Sequence, residues 1–465
     1  MDSISREMAR FAVSLQYETL PESAVQIAKR LLLDSMGCAL AAVKLKDIEA
    51  SYKYLRQLGG TKQATIIWYG DKTNLPNVAL INSLLIRALD YNDVYWKQDP
   101  CHPSDMIPAA LAPAEYLGVS GKELITAIVI AYELEMRLCL TAEPGIREIG
   151  WHHASLTQFA APLVAGRILG LNEDEMVSAV GISGSSHFTL GGVVAGHLTN
   201  MKNAADPMAT EAGVRAAMLA KTGYSGPQEV FEGKEGLFEV LSKVKWNGNA
   251  LVEGLGREFL ITDCGFKAFP TEALTHQPIT ATLELMRENK IAPGEVKEVV
   301  VETTKRGVDI LSDEGKYHPK TKETADHSLP YCIAVAIAKR NVLPSDFEER
   351  ALQDPSVLEL IPKIKVTSSP EIDSIFPNIK RAIVTISAKD GRTIKKQEDF
   401  AMGQPERPLS EQELIAKFHS NARRAMSKRR REKLIQATLT IDQCNNVRKY
   451  LSLLVKEKTR RTPRR

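Results

Sequence analysis

At 465 residues the chain is too long for one ordinary core and predicts two domains, while 44% hydrophobic and 25% charged residues exclude a disordered or fibrous polymer. The apolar run Leu124 to Leu140 is broken by Glu133, Glu135 and Arg137, and the first sixteen residues carry Asp2, Arg6, Glu7 and Arg10, so neither a membrane span nor a signal peptide is expected and the assigned compartment is cytoplasmic. The net charge of +3 hides an uneven split, because residues 421–465 hold 15 Lys/Arg against 3 Asp/Glu and the basic excess belongs to the tail.

Six cysteines, Cys38, Cys101, Cys139, Cys264, Cys332 and Cys444, lie far apart, which suggests reduced thiols and not a disulfide framework or an iron–sulfur nest. Runs such as Lys428-Arg429-Arg430-Arg431 could engage nucleic acid, but aromatics are nearly absent there and nucleic acid is the lesser reading of the tail.

Taken in order, the first 260 or so residues read as helices. From Glu22 to Ala42, apolar residues at helical spacing define one buried stripe. Ala64 to Tyr69 is the one strand candidate of this half. An apolar helix from Val78 to Leu89 ends abruptly in Asp90-Tyr91-Asn92-Asp93, and a loop then delivers His102-Pro103-Ser104-Asp105. Pro103 biases His102 toward extended backbone. An imidazole and two carboxylates thus stand at the mouth of a helical core, where pKa values can be tuned for proton transfer. A capped helix followed by a surface loop accounts equally well for this spacing. Further helices are expected over 106–116, 122–140 and 154–171, and the architecture predicted for this half is an all-α layered bundle.

Near Phe266 the composition changes. Val296 to Thr303 is β-branched, Ala382 to Ile394 looks like a hairpin around Lys389-Asp390-Gly391-Arg392, and Gln277 to Asn289 and Thr324 to Lys339 read as helices. Helical patterning returns over 410–420 and 441–455. The expected organisation is mostly α: a helical domain of residues 1–267 and 401–465, and a smaller α+β lid domain of 268–400.

Four other places concentrate polar groups in apolar surroundings. Gly150-Trp151-His152-His153 precedes a helix, where a histidine can simply cap. Gly191 to Gly196 leads to Lys202 and then to Asp206-Pro207, read as N-cap and first helical residue, a combination that makes an anion site. Lys267 to Gln277 lies at the domain junction, where small-molecule clefts form. In Ala325 to Tyr331, Pro330 suggests a kink turning His327 or Tyr331 toward a cavity, although a packed tyrosine is the plainer account of Tyr331.

Together these segments resemble the MmgE/PrpD family, which includes 2-methylcitrate dehydratases, cis-aconitate decarboxylases and iminodisuccinate epimerases. The resemblance runs through "LLLDSMGCALAA", "LDYND" with "HPSD", "SGKELITAIVIAYE", "GWH", "SGSSHFTL", "LTNMKN", "GPQEVFEGKEG", "KAFP" with "THQPI", and "ADHSLPY". It implies a helical domain with a smaller α+β lid, a homodimer, and a metal-free, cofactor-free pocket for a small polycarboxylate. Carried over by position, the pocket residues are Asp90, His102, His152 and Tyr331 as catalytic groups, with Lys202, Lys267 and His276 binding substrate. Val94 stands where decarboxylase-like and dehydratase-like members typically place threonine, which removes one substrate hydrogen bond.

The expected chemistry is that of a metal-independent hydro-lyase. It abstracts a proton alpha to a carboxylate and expels water, with His102 oriented by Asp90 as base, His152 or Tyr331 assisting the leaving group, and Lys202, Lys267 and His276 clamping carboxylates. Epimerisation of an iminodisuccinate-like acid, decarboxylation of a cis-aconitate-like acid, and a non-catalytic scaffold with a basic tail are the alternatives.

Overall fold

The computed structural model describes residues 2–457, so residues 458–465, the end of the basic tail, lie outside the described residues. Two hydrophobic cores organise the chain. One gathers residues between Met8 and Phe266 together with Leu409 to Leu454, and the other gathers Phe269 to Ala388. Among the described residues no helix is long and apolar enough to cross a membrane. All six cysteines are free, and five are buried.

Helices dominate the first core. The predicted Glu22–Ala42 helix forms at those bounds, and the predicted apolar helix runs from Leu75 to Arg87 with Asn74 accepting from Asn77 N as its N-cap. Ile107–Leu117 ends at Gly118, whose left-handed φ of 74° closes the helix, and Gly121–Thr141 begins under a Ser120 cap. Ala154–Leu169 and Met201–Ala220 pack tightly: a Cβ built on Gly213 would lie 2.5 Å from that of Ala161, so this contact needs glycine.

Several expectations need correction. The 64–69 run keeps only the two-residue strand Ala64–Thr65. Asp206-Pro207 does not start a helix, because the helix begins at Met201 and carries Pro207 inside it; the buried Asp206 carboxylate faces Arg87 and His153. The 324–339 helix is two pieces, Lys322–Ala325 and Leu329–Lys339, with Ser328 capping the second; Pro330 sits in its first turn, where no N–H is needed, and starts the helix where a kink was expected. The expected 441–455 helix is reduced to a 3-10 turn, Ile441–Gln443, and a five-residue α-helix, Arg448–Ser452, whereas the basic run belongs to a longer helix, Lys428–Leu439.

In the second core, a four-stranded sheet runs in the order Thr393–Glu398, Ala382–Ala388, Val296–Thr303, Ile364–Ser368. The first two form the expected hairpin, while the last pairing is parallel. Val384, Ile386 and Ala388 alternate inward, as the period of two requires.

A minor sheet positions the site. Asp93–Trp96 is flanked by Pro100–Cys101 and Gly265–Phe266, with Asp93 opposite Phe266. This pairing brings Lys267 beside Asp90 from 177 residues away.

Candidate active site

The Leu75–Arg87 helix is followed by a tight turn in which Asp90 N donates to Arg87 O at 2.9 Å and Asp90 adopts a left-handed φ of 48°, which aspartate tolerates better than most residues. The turn aims the carboxylate inward. Lys267 Nζ donates to Asp90 Oδ1 at 2.7 Å, Lys202 Nζ lies 3.2 Å from Oδ2, and Arg87 also pairs with Oδ1. None of the four side chains is more than 4% exposed. Burial alone would raise the Asp90 pKa, but Lys202, Lys267 and Arg87 outweigh it and hold this carboxylate well below its usual range. Burial lowers the Lys267 pKa, with Asp90 opposing.

The segment from Asn92 to Asp105 is closed on itself. Ser104 donates to Asp93 through its hydroxyl at 2.6 Å and its backbone N–H at 3.1 Å, and Asn92 Nδ2 donates to Ser104 Oγ at 2.9 Å and Asp105 Oδ1 at 3.2 Å. That closure sets His102, whose Nδ1 lies 2.7 Å from the Asp93 carbonyl oxygen. A carbonyl only accepts, so the ring proton sits on Nδ1 and His102 Nε2 keeps its lone pair. Asp93, and not Asp90, therefore orients this imidazole.

His152 has the opposite tautomer. Its Nδ1 accepts the backbone N–H of Ala154 at 3.2 Å, which places the ring proton on Nε2, a buried donor with no partner. Burial first, then neighbouring cations for His102 and His153 for His152, push both imidazoles well below the usual histidine range. Both are neutral at physiological pH. The His153 ring lies 3.9 Å from that of His152 and 5.6 Å from that of His102, centroid to centroid and tilted to both, with its Nε2 3.4 Å from Asp206 Oδ1.

These groups line a chamber of about 40 Å³. Its wall carries four cations, Arg87, Arg147, Lys202 and Lys267, two carboxylates, Asp90 and Glu272, and four imidazoles, His102, His152, His153 and His327. Beyond Val94, Trp96, Lys267 and Ala273, which both share, lies a larger cavity of about 240 Å³.

Of the seven residues expected in the pocket, five line the chamber: Asp90, His102, His152, Lys202 and Lys267. His276 does not, because its Nε2 faces the Thr271 carbonyl at 3.3 Å and its ring borders the larger cavity. Tyr331 is a correction too. Its hydroxyl donates to Asp346 O at 2.6 Å inside the second core, and the break before Leu329 brings His327 to the chamber in its place.

Other lining groups had weak signals or none. Arg87, three residues before Asp90, is the lone charge of an apolar helix and was legible as a buried partner. His153 adjoins His152. Arg147 carried no motif, yet among the described residues it has no ion-pair partner at the chamber wall and stands 5.9 Å from the Trp96 ring.

One group among the described residues could hold a metal: His152, His153 and Asp206 bring potential ligand atoms within 4.8 Å of one another. Two features oppose that use. The Ala154 bond puts a proton on His152 Nε2, where a metal needs a lone pair, and Arg87 Nε stands 3.8 Å from Asp206 Oδ2.

The family model of the MmgE/PrpD N-terminal domain matches residues 6–248 and that of the MmgE/PrpD C-terminal domain matches residues 269–442, so the chain belongs to the MmgE/PrpD family. It is 24% identical to a cis-aconitate decarboxylase of Aspergillus terreus, covering 97% of this chain and 96% of that one. To the cis-aconitate decarboxylase of Homo sapiens it is 24% identical, over 98% and 95% of the two chains. To the 2-methylcitrate dehydratase of Escherichia coli K12 it is 25% identical, over 95% of each.

Proposed function

We propose that the protein is a hydro-lyase for a small hydroxylated polycarboxylate of the 2-methylcitrate or citrate type, working without a metal. The observation that carries this reading is the opposed tautomers of His102 and His152 on one cation-rich wall. His102 Nε2 takes the proton alpha to a carboxylate, and Arg147, Lys202 and Lys267 stabilise the charge that builds on that carboxylate. The electron pair forms the C=C bond as the C–O bond breaks. His152 Nε2–H polarises the departing hydroxyl, and the proton on His102 passes to it to give water, which restores the neutral imidazole. No net proton is gained or lost.

The chamber adjoins the larger cavity across Val94, Trp96, Lys267 and Ala273, three of them apolar, and we take this shared wall to be the side from which substrate enters. The same reading includes the homodimer that the family resemblance implies, which sedimentation at two protein concentrations tests.

Decarboxylation is the second reading, favoured by the relatives named cis-aconitate decarboxylases. Val94, half-buried on the chamber wall, supplies no hydroxyl there and favours neither reaction. Separate incubation with 2-methylcitrate, citrate, cis-aconitate and iminodisuccinate in deuterated water, read by NMR, decides. Water loss from a hydroxy acid is expected; carbon dioxide release from cis-aconitate alone would replace the proposal with the second reading.

A further inference from the structure

His327 reaches the chamber from the second core, and its environment is built to fix one tautomer. Its Nδ1 lies 2.6 Å from Asp326 Oδ1, and the other Asp326 oxygen accepts from Lys322 Nζ at 2.9 Å. Asp326 is fully buried, and its backbone carbonyl also accepts the Glu272 N–H at 2.9 Å, which ties the pair to the chamber rim. An ionised carboxylate only accepts, so Nδ1 carries the proton and His327 Nε2 presents a lone pair.

Most of the chamber's other polar atoms donate: Arg87, Arg147, Lys202, Lys267 and His152 Nε2–H. Acceptors are few. Asp90 is saturated by three cations, and Glu272 Oε2 takes the Leu274 N–H at 2.6 Å. Apart from the His153 ring, which faces Asp206 through Nε2, and the second Glu272 oxygen, the lone pairs of His102 and His327 are left, and proton abstraction uses the first. A substrate whose polar groups are all ionised carboxylates offers the second nothing to accept, whereas a hydroxyl group offers an O–H.

Resting on the hydro-lyase reading above, we propose that His327, held by Asp326, accepts the hydrogen bond of the substrate's hydroxyl and so selects a hydroxy acid over the same skeleton without it. Asp326 is the positioning residue. A site built around a hydroxyl rejects the analogue lacking it because its own polar group is then left unpaired.

The test compares citrate with propane-1,2,3-tricarboxylate, which differs only by the hydroxyl. Dissociation constants are measured by calorimetry on the full chain carrying His102→Gln, which removes the proton acceptor. Citrate is expected to bind about 100-fold tighter, a preference that His327→Phe abolishes and His327→Gln, which keeps an acceptor oxygen, partly restores. Asp326→Asn, which frees the imidazole to take the other tautomer, is expected to reduce the preference while leaving the affinity for propane-1,2,3-tricarboxylate within about 3-fold. Equal binding of the two acids, or a preference untouched by His327→Phe, overturns the inference. So does a His327→Phe protein that still dehydrates hydroxy acids at full rate but no longer inverts an acidic carbon, since His327 is then a second base. A clear preference without turnover of any acid by the unmutated protein sinks the hydro-lyase reading and leaves the inference standing; turnover without preference does the reverse.

Discussion

Lys417 Nζ, on the Glu411–Ala422 helix, donates at 2.8 Å to the backbone carbonyl of Lys267, the residue whose ammonium grips Asp90. The same ammonium donates to Tyr91 O at 2.8 Å and lies 2.7 Å from Asp34 Oδ1. One buried cation from the C-terminal part of the chain thus fixes the backbone on both sides of the chamber floor. Lys417→Met leaves Asp34, itself buried, without its partner, and unfolding by urea is expected to show a loss of about 3–5 kcal/mol. Turnover should fall as well, because Tyr91 and Lys267 lose a common anchor.

Asp90 neutralises a cluster that cannot stand without it. Asp90→Ala leaves Arg87, Lys202 and Lys267 facing one another out of water, and the expected cost is again several kcal/mol. Acetate, which can occupy the vacated carboxylate position, should raise the melting temperature of this variant and leave that of the unmutated protein nearly unchanged.

Burial pushes the Asp93 pKa up to about 6, against the hydrogen bonds from Ser104 that favour the charged form. The unfolded value is about 4, so between roughly pH 4 and pH 6 the folded protein binds the extra proton and this residue's contribution to stability falls as pH rises. The size of that fall is about 3 kcal/mol at most. Urea midpoints for Asp93→Asn should lack this component, while a pH profile identical to that of the unmutated protein would assign the dependence to other groups.

Tyr331 serves the second core. Its hydroxyl donates to Asp346 O and, at 3.3 Å, to Ala351 O, so Tyr331→Phe is expected to cost about 1 kcal/mol of stability and to leave kcat within about 2-fold. A 100-fold loss of kcat with normal substrate affinity would return the tyrosine to the chamber.

The long helices were legible because an apolar stripe at helical period repeats over three or more turns, as in Glu22–Ala42, and so were the β-branched Val296–Thr303 and the Gly391 hairpin. The site was legible residue by residue but not in its contacts. Asp90 and His102 read as a pair, yet the left-handed turn at Asp90 sends its carboxylate to the lysines and leaves His102 to a backbone carbonyl, which no side-chain pattern announces. His327 and Tyr331 lie four residues apart, and only the Ser328 cap, which starts a new helix, decides which one reaches the chamber. Strands of two to four residues, such as Gly265–Phe266, owe their existence to pairing across the chain and have no local signature. In the basic tail, Arg430 donates to the carbonyls of Ser452, Leu453 and Val455 and Arg431 to that of His419, so part of what reads as a charged run is used as internal clasps.

Removal of the substrate proton by His102 Nε2 is the step on which the proposed reaction turns. Its most direct measurement is NMR in deuterated water on His102→Gln against the unmutated protein, following both water loss from 2-methylcitrate or citrate and deuterium entry alpha to the carboxylate. Both rates are expected to drop together by about 100-fold to 10,000-fold. A variant that keeps either rate within a few-fold of the unmutated protein would contradict the account.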